Sequence, residues 1–333
     1  MSPFDVVIVG AGPTGLACAI ACKEAGLNSM VLDKGCITNS IYHFPANMVF
    51  FTSSDLLEVG GLPFTSPNAK PTREEGLQYY KRAVQHFGLS VHTSEKVLSI
   101  LKKDEGFEIA VLKDGRDERT YRSEFVILAT GYYDNPNMLN VEGEDLPKVS
   151  HYYSDPHPFF DKEVMVVGGK NSACIAALEL FRYGSRVTVV HRGDEIKQSV
   201  KYWILPDFLN RVKEGSIKLY VETVVERIGD QMVFLKNLKN QRVQSVANDH
   251  VFALTGYHPD VDFLSKTGIS VDPKTMVPHC NEQTLETNVP GLYVAGSISA
   301  GRNTNKLFIE NGRFHGKTIV SDVVKKLETR SKH

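Results

Sequence analysis

Gly10-Ala11-Gly12-Pro13-Thr14-Gly15, set between the apolar run Val6-Val7-Ile8-Val9 and a helix-like stretch from Leu16 to Ala25, decides how the rest of the chain is read. A second segment, Gly168-Gly169-Lys170-Asn171-Ser172-Ala173, repeats the arrangement, with Val164-Met165-Val166-Val167 before it and Cys174 to Phe181 after it. One glycine motif is a weak signal. Two, each with a strand before it, a helix behind it and a further strand beyond, form a specific pattern. Glycine at the first position permits the tight turn, glycine at the second lets a pyrophosphate approach, and a small third residue lets helix and strand pack closely. The helix start then offers unpaired N–H groups and a positive dipole end to phosphate. Two bound dinucleotides are therefore expected, one on each loop. In the second loop Lys170 stands where the middle glycine is expected.

The strand beyond each loop separates the ligands. After the first, Ser29-Met30-Val31-Leu32 ends in Asp33 and Lys34, an acidic residue at the spacing that suits a ribose diol. After the second, Arg186-Val187-Thr188-Val189-Val190 ends in His191 and Arg192. A carboxylate there would repel a ribose 2′-phosphate, whereas an arginine binds it through paired donors. The first site suits an adenine dinucleotide without that phosphate, and the second suits NADP(H).

Length and composition agree. A chain of 333 residues with 42% hydrophobic residues has room for about two domains with buried cores. The 38 basic and 39 acidic residues create no basic field of the kind nucleic acid demands, so no nucleic-acid partner is expected. The first strand begins close to Met1 and no apolar run approaches a membrane span, which reads as a soluble cytoplasmic protein. Five cysteines, none in a Cys-x-x-Cys pair, suggest free thiols in a reducing compartment. Cys18 and Cys22, among Ala, Leu and Ile, read as core thiols. The histidines have no zinc-ligand spacing with the cysteines, so no metal site is inferred.

Along the chain the pattern is α/β, with two Rossmann-like dinucleotide-binding domains. An irregular Ser-, Asn- and Pro-rich stretch from Gly35 to Pro71 is long enough to be functional. A helix over Arg73–Phe87 follows, and then short strands at 90–92, 96–102, 107–112 and 119–121 form a small antiparallel excursion. Phe125-Val126-Ile127-Leu128 returns as an apolar strand ending in Ala129-Thr130-Gly131. The second unit carries strands at 222–228, 233–237 and 242–246, and closes on Val251 to Leu254 followed by Thr255-Gly256. Gly291 to Gly296 supplies one more strand, and a helical tail runs from Ile309 to about Leu327. The tail is expected to rejoin the first unit, giving a discontinuous domain of residues 1–152 and 263–333 and an inserted domain of 153–262.

The two loops, Ala129-Thr130-Gly131, Thr255-Gly256-Tyr257-His258-Pro259 and the strand at 291–296 together resemble the flavin-dependent pyridine nucleotide-disulfide reductases over essentially the whole chain, closest in size to the thioredoxin-reductase-like group. Longer strings resemble the bacillithiol disulfide reductase (YpdA-type) family: Ser40-Ile41-Tyr42-His43-Phe44-Pro45, Phe50-Phe51-Thr52-Ser53-Ser54-Asp55, Trp203-Ile204-Leu205-Pro206 and Phe308-Ile309-Glu310-Asn311-Gly312. Lys170 is ordinary for that family. The resemblance implies FAD in the first domain, NADPH in the second, a homodimer, and reduction of a low-molecular-weight thiol disulfide by hydride passed from NADPH to FAD. It also implies a swing of one domain about the Thr130-Gly131 and Thr255-Gly256 connections. Gly10, Gly12, Pro13, Thr14, Gly15, Asp33, Lys34, Thr130, Gly131, Gly296 and Asn311 would hold FAD. Gly168, Gly169, Lys170, Asn171, Ser172, Ala173, His191 and Arg192 would hold NADPH.

Three departures from the wider pattern matter. Thioredoxin reductases carry a Cys-x-x-Cys pair just before the second glycine loop, and this chain has Ser154-Asp155-Pro156-His157 there. The YpdA-type proteins usually have cysteine where this chain has Thr14, and a hydroxyl forms no mixed disulfide. Many disulfide reductases follow the last glycine with aspartate, where this chain has Ser297. The catalytic residue is therefore open, with Thr14, Ser54, Tyr132 and Glu310 as candidates near the flavin. Glu310-Asn311-Gly312 would begin the last helix and place its dipole near the flavin ring. A flavin monooxygenase-like NADPH oxidase, and a flavin redox sensor or electron carrier serving a protein partner, are the alternative readings.

Overall fold

The computed structural model describes residues 4–197 and 199–330. They group in two compact units: one runs to Asn135 and resumes at Tyr257, and the other is Pro136–Gly256.

The first unit opens with β1 (Phe4–Val9), α1 (Pro13–Glu24), β2 (Ser29–Leu32) and the short α2 (Asn39–Tyr42). The helix expected over 73–87 is α3 (Arg73–Phe87). Thr72 Oγ1 accepts the Glu75 N–H, the Glu75 carboxylate accepts the Thr72 N–H at 2.8 Å, and Gly88 ends the helix in a left-handed cap. After β3 (Val91–His92), the strands β4 (Glu95–Lys103), β5 (Gly106–Lys113) and β6 (Asp117–Leu128) form the antiparallel excursion. The strands expected at 119–121 and 125–128 are one continuous β6. Its first half pairs antiparallel with β5, and its second half pairs parallel with β1.

The second unit contains β7 (Val149–Ser150), β8 (Glu163–Val167), α4 (Asn171–Arg182), β9 (Arg186–Val190), α5 (Leu205–Lys213) and β10 (Ile217–Tyr220). The strands β11 (Thr223–Ile228), β12 (Met232–Asn237) and β13 (Val243–Ala247) form a separate antiparallel sheet, and β14 (His250–Ala253) returns to the parallel one. That parallel sheet has the order β10-β9-β8-β14-β7. Because β7 pairs with β14, the segment 136–152 groups with the second unit, and 257–262 with the first, in place of the 152/153 and 262/263 boundaries read from the sequence.

The first unit resumes with α6 (Val261–Lys266), β15 (Leu292–Val294), α7 (Ile309–Gly312) and α8 (His315–Arg330). β15 pairs with β6, completing a sheet whose path is β3-β2-β1-β6-β5-β4. The tail is thus two helices. The chain tightens where Phe314 N–H reaches only to the Asn311 carbonyl, three residues back.

The central parallel strands of both sheets are covered on both faces, which is why they read as unbroken apolar runs. In β1, Val6 and Ile8 face a core shared with α1, α3 and α8, while Val7 and Val9 face the core shared with β5 and β15. In β8, Val164 and Val166 pack on α4, and Met165 and Val167 pack on β11 and β12. Each glycine loop thus leaves a strand that is buried on both faces.

Candidate functional site

The first loop carries β1 into α1. Gly10 has φ of +108°, and a Cβ there would lie 2.5 Å from the Ala129 carbonyl oxygen. A Cβ on Gly15 would lie 1.9 Å from the Gly10 carbonyl oxygen. Neither position accepts a side chain. At Gly12 the backbone is extended, and a Cβ would meet nothing within 4 Å. The missing side chain there leaves open space before the helix start, which is the room a pyrophosphate requires. Pro13 takes the first helical position, where a missing N–H costs nothing.

Asp33, expected to meet a ribose, is 8% exposed and already braces this loop. Its Oδ2 accepts the Ala11 N–H at 2.7 Å and its Oδ1 accepts the Gly35 N–H at 2.8 Å. Burial pushes its carboxyl pKa up, against the pull of those two amides. Each oxygen keeps a second lone pair for a ligand. Lys34 pairs with Asp134 at 2.9 Å. Thr38, which sequence reasoning passed over, donates its N–H to the Ala11 carbonyl at 2.9 Å from a left-handed backbone with φ of +53°. Ala11 is therefore held by both its polar groups. A β-branched residue in that conformation has no sequence signature, although it often marks a functional loop.

The short α7 touches α1, the 3-10 turn Ser54–Leu57 and the 3-10 turn Gly296–Ala300, and so gathers Thr14, Ser54, Gly296 and Glu310 into one region. The Thr14 side chain lies between two glycines: a Cβ on Gly296 would be 2.8 Å from its Oγ1, and one on Gly312 3.0 Å. Arg313 donates to the Asp55 and Glu58 carbonyls at 2.8 and 2.9 Å, pinning the Ser54 turn beside α7. Asn311, expected to hold FAD, spends its Oδ1 on the N–H groups of Phe308 and Gly312 and so caps its own helix. That helix is four residues long, so the dipole expected from a long final helix is that of a single turn. Thr130 borders the first loop, its nitrogen 3.3 Å from a Cβ placed on Gly10, and Gly131 lies beside Ser297. Tyr132 stacks on Tyr257 at 6.3 Å, and burial pushes its phenol pKa up. His315, a second residue the sequence reading missed, accepts the Gly296 N–H.

The cysteines stand apart from this chemistry. Cys18, Cys22 and Cys174 are fully buried. Burial pushes Cys22 and Cys174 up to about 12 and Cys18 further, and it also raises Cys36 and Cys280. Burial thus disfavours the thiolate at each of them. All five are free.

The second loop runs from β8 into α4. Lys170 has φ of −112° and ψ of −172°, an extended backbone open to any residue, which explains how a lysine replaces the middle glycine. Lys170 and Ser172 are exposed, and Ala173 is buried against the sheet. The Asn171 side chain accepts the Lys201 N–H at 2.8 Å, tying the start of α4 to the segment after β9. The His191 ring fills the space of the two missing side chains at Gly169 and Gly193. Burial, with the neighbouring Arg192 and Lys197, lowers its pKa and favours the neutral ring. Arg192 itself is exposed. Among the described residues no cluster of His, Cys, Asp and Glu could hold a metal, and no helix is long and apolar enough to cross a membrane.

Two glycine loops on two parallel sheets define a class. A family model of the pyridine nucleotide-disulphide oxidoreductases matches residues 7–296. Over 321 residues the chain is 45% identical to bacilliredoxin reductase Bdr of Bacillus subtilis (strain 168), covering 96% of this chain and 97% of the relative. The structure of bacillithiol disulfide reductase Bdr (YpdA) from Bacillus cereus matches with a TM-score of 0.95 and 42% identity, over 98% of this chain and all of that one. A thioredoxin reductase from T. acidophilum has the same fold, with a TM-score of 0.74 and 23% identity over 98% of this chain and 99% of that one. The chain belongs to the bacillithiol disulfide reductase (Bdr/YpdA) family of the pyridine nucleotide-disulphide oxidoreductases. It is an oxidoreductase, and the family implies FAD and a nicotinamide dinucleotide as its cofactors.

Proposed function

We propose that this protein is an NADPH-dependent, FAD-containing reductase of a low-molecular-weight thiol disulfide, bacillithiol disulfide or a close relative of it. The net reaction is NADPH + H⁺ + RSSR → NADP⁺ + 2 RSH: the S–S bond breaks, two S–H bonds form, and the nicotinamide is oxidised. The observation that carries this reading is the 45% identity to a bacilliredoxin reductase along 96% of the chain.

FAD is assigned to the first unit. The open space at Gly12 suits its pyrophosphate, Asp33 and Thr38 hold the loop in shape, and Thr130, Gly131 and Gly296 border the region gathered by α7. When bound, the flavin supplies the two-electron chemistry that joins hydride donor to disulfide. NADPH is assigned to the second unit, with Asn171 and Ser172 at the helix start and Lys170, His191 and Arg192 toward the 2′-phosphate. With threonine at position 14, and with Cys18, Cys22 and Cys174 buried, this reading has the substrate cleaved without a mixed disulfide to the protein. A cytoplasmic homodimer is the form we assign to it.

The test is anaerobic NADPH oxidation by the FAD-loaded protein with bacillithiol disulfide, following free thiol. Two thiols per NADPH at catalytic rate, undiminished after iodoacetamide treatment of the NADPH-reduced protein, are expected. Flavin that stays reduced in the presence of the disulfide overturns the reading. A second reading, in which the acceptor is a disulfide on a bacilliredoxin protein, is favoured by the name of the B. subtilis relative. Oxidation by such a protein alone would select it, and oxygen-dependent turnover would select a monooxygenase-like activity.

A further inference from the structure

Gly296 turns the chain out of the β15 segment with φ of +75°, and its N–H is donated to Nδ1 of His315, the first residue of α8, at 3.1 Å. An accepting Nδ1 carries no proton, so the ring is neutral with its proton on Nε2. Burial lowers the pKa of this imidazole and favours that same form. The turn it holds is packed on the first glycine loop through Thr14, whose Oγ1 would be 2.8 Å from a Cβ on Gly296. The ring is itself carried on a fixed element. Gly316, the next residue, lies so close to α1 that a Cβ would stand 2.8 Å from the Ala17 carbonyl oxygen and from the Cys18 Cα. Loop, turn and helix are thus joined through Thr14, Gly296 and His315, with the imidazole as the polar link.

We propose that His315 is a positioning residue for the bound flavin, holding the Gly296 turn against Thr14 so that the first nucleotide site keeps one shape. The proposal rests on the assignment of FAD to the first unit. Without the ring, the Gly296 N–H loses its acceptor and the turn is free to seek another, which loosens the seat of Thr14.

The experiment titrates FAD into the apoprotein, following flavin fluorescence, for the wild type and for His315→Ala, His315→Asn and His315→Gln. The Asn carbonyl reaches the place of Nδ1, whereas the Gln amide reaches toward that of Nε2. The wild type and His315→Asn should bind FAD alike. His315→Ala and His315→Gln should bind about tenfold more weakly, as expected for a buried N–H left unpaired, with a shifted visible flavin band and a lower kcat at unchanged KM for NADPH. A wild type that takes up no FAD would overturn the assignment of the first site and this proposal with it. A wild type that binds FAD while His315→Ala matches it in affinity and spectrum would overturn the proposal alone. Should the alanine variant not fold, equal behaviour of the near-isosteric Asn and Gln variants would do the same.

Discussion

Gly15 and Asp33 show how much of the first site is built from atoms the protein uses on itself. Gly15→Ala drives a methyl group against the Gly10 carbonyl oxygen, which is backbone and cannot step aside. Destabilisation of at least about 1–3 kcal/mol is expected. Purified Gly15→Ala protein should also lose its flavin, read as the ratio of visible flavin absorbance to protein absorbance. The glycines and their spacing were legible in the sequence because steric exclusion acts on residue type alone. The roles of Asp33 and Asn311 were legible only in part. Buried N–H groups require acceptors, and the nearest side-chain oxygens meet that need before any ligand arrives. Asp33 serves Ala11 and Gly35, and Asn311 serves Phe308 and Gly312. Thr38 and His315 gave no signal, because a left-handed threonine and a ring accepting a distant amide are products of the closed fold.

At the scale of elements, apolar runs located β1, β8, β9, β14 and β15, since strands covered on both faces must be apolar throughout. β6 was divided in two because its polar half lies in the antiparallel excursion and its apolar half in the parallel core. β14 carries a further consequence. His250 packs against Phe159 and Phe252 with ring centroids 4.7 and 4.5 Å away, and its buried Nε2 has no hydrogen-bond partner. Burial, aided by the charge of Lys148, depresses its pKa from 6.5 to about 4. The folded state therefore binds its proton less readily than the unfolded state. The stability this neutral ring contributes is present above pH 6.5 and is lost as pH falls toward 4. Urea midpoints should fall across that window, and His250→Phe should flatten this part of the decline; an unchanged slope would assign the decline to other groups.

For the whole molecule, the two glycine loops lie on separate units, each with its own parallel sheet and core. Damage to one nucleotide site should leave the other intact. Arg192→Ala is expected to raise the KM for NADPH roughly ten- to a hundredfold, the cost of losing charge-assisted hydrogen bonds. Its flavin content, its kcat and its KM for NADH should stay unchanged. A parallel rise in KM for NADH would place Arg192 away from the 2′-phosphate. The discontinuity of the first unit bears on the order in which the chain can fold during synthesis. Every strand of the second unit lies in one stretch, Pro136–Gly256, whereas the first sheet lacks β15, and α1 lacks its cover by α8, until residues well beyond that stretch have left the ribosome. The glycine loop translated first is thus finished last, and the second unit can close while the first still waits for its C-terminal portion.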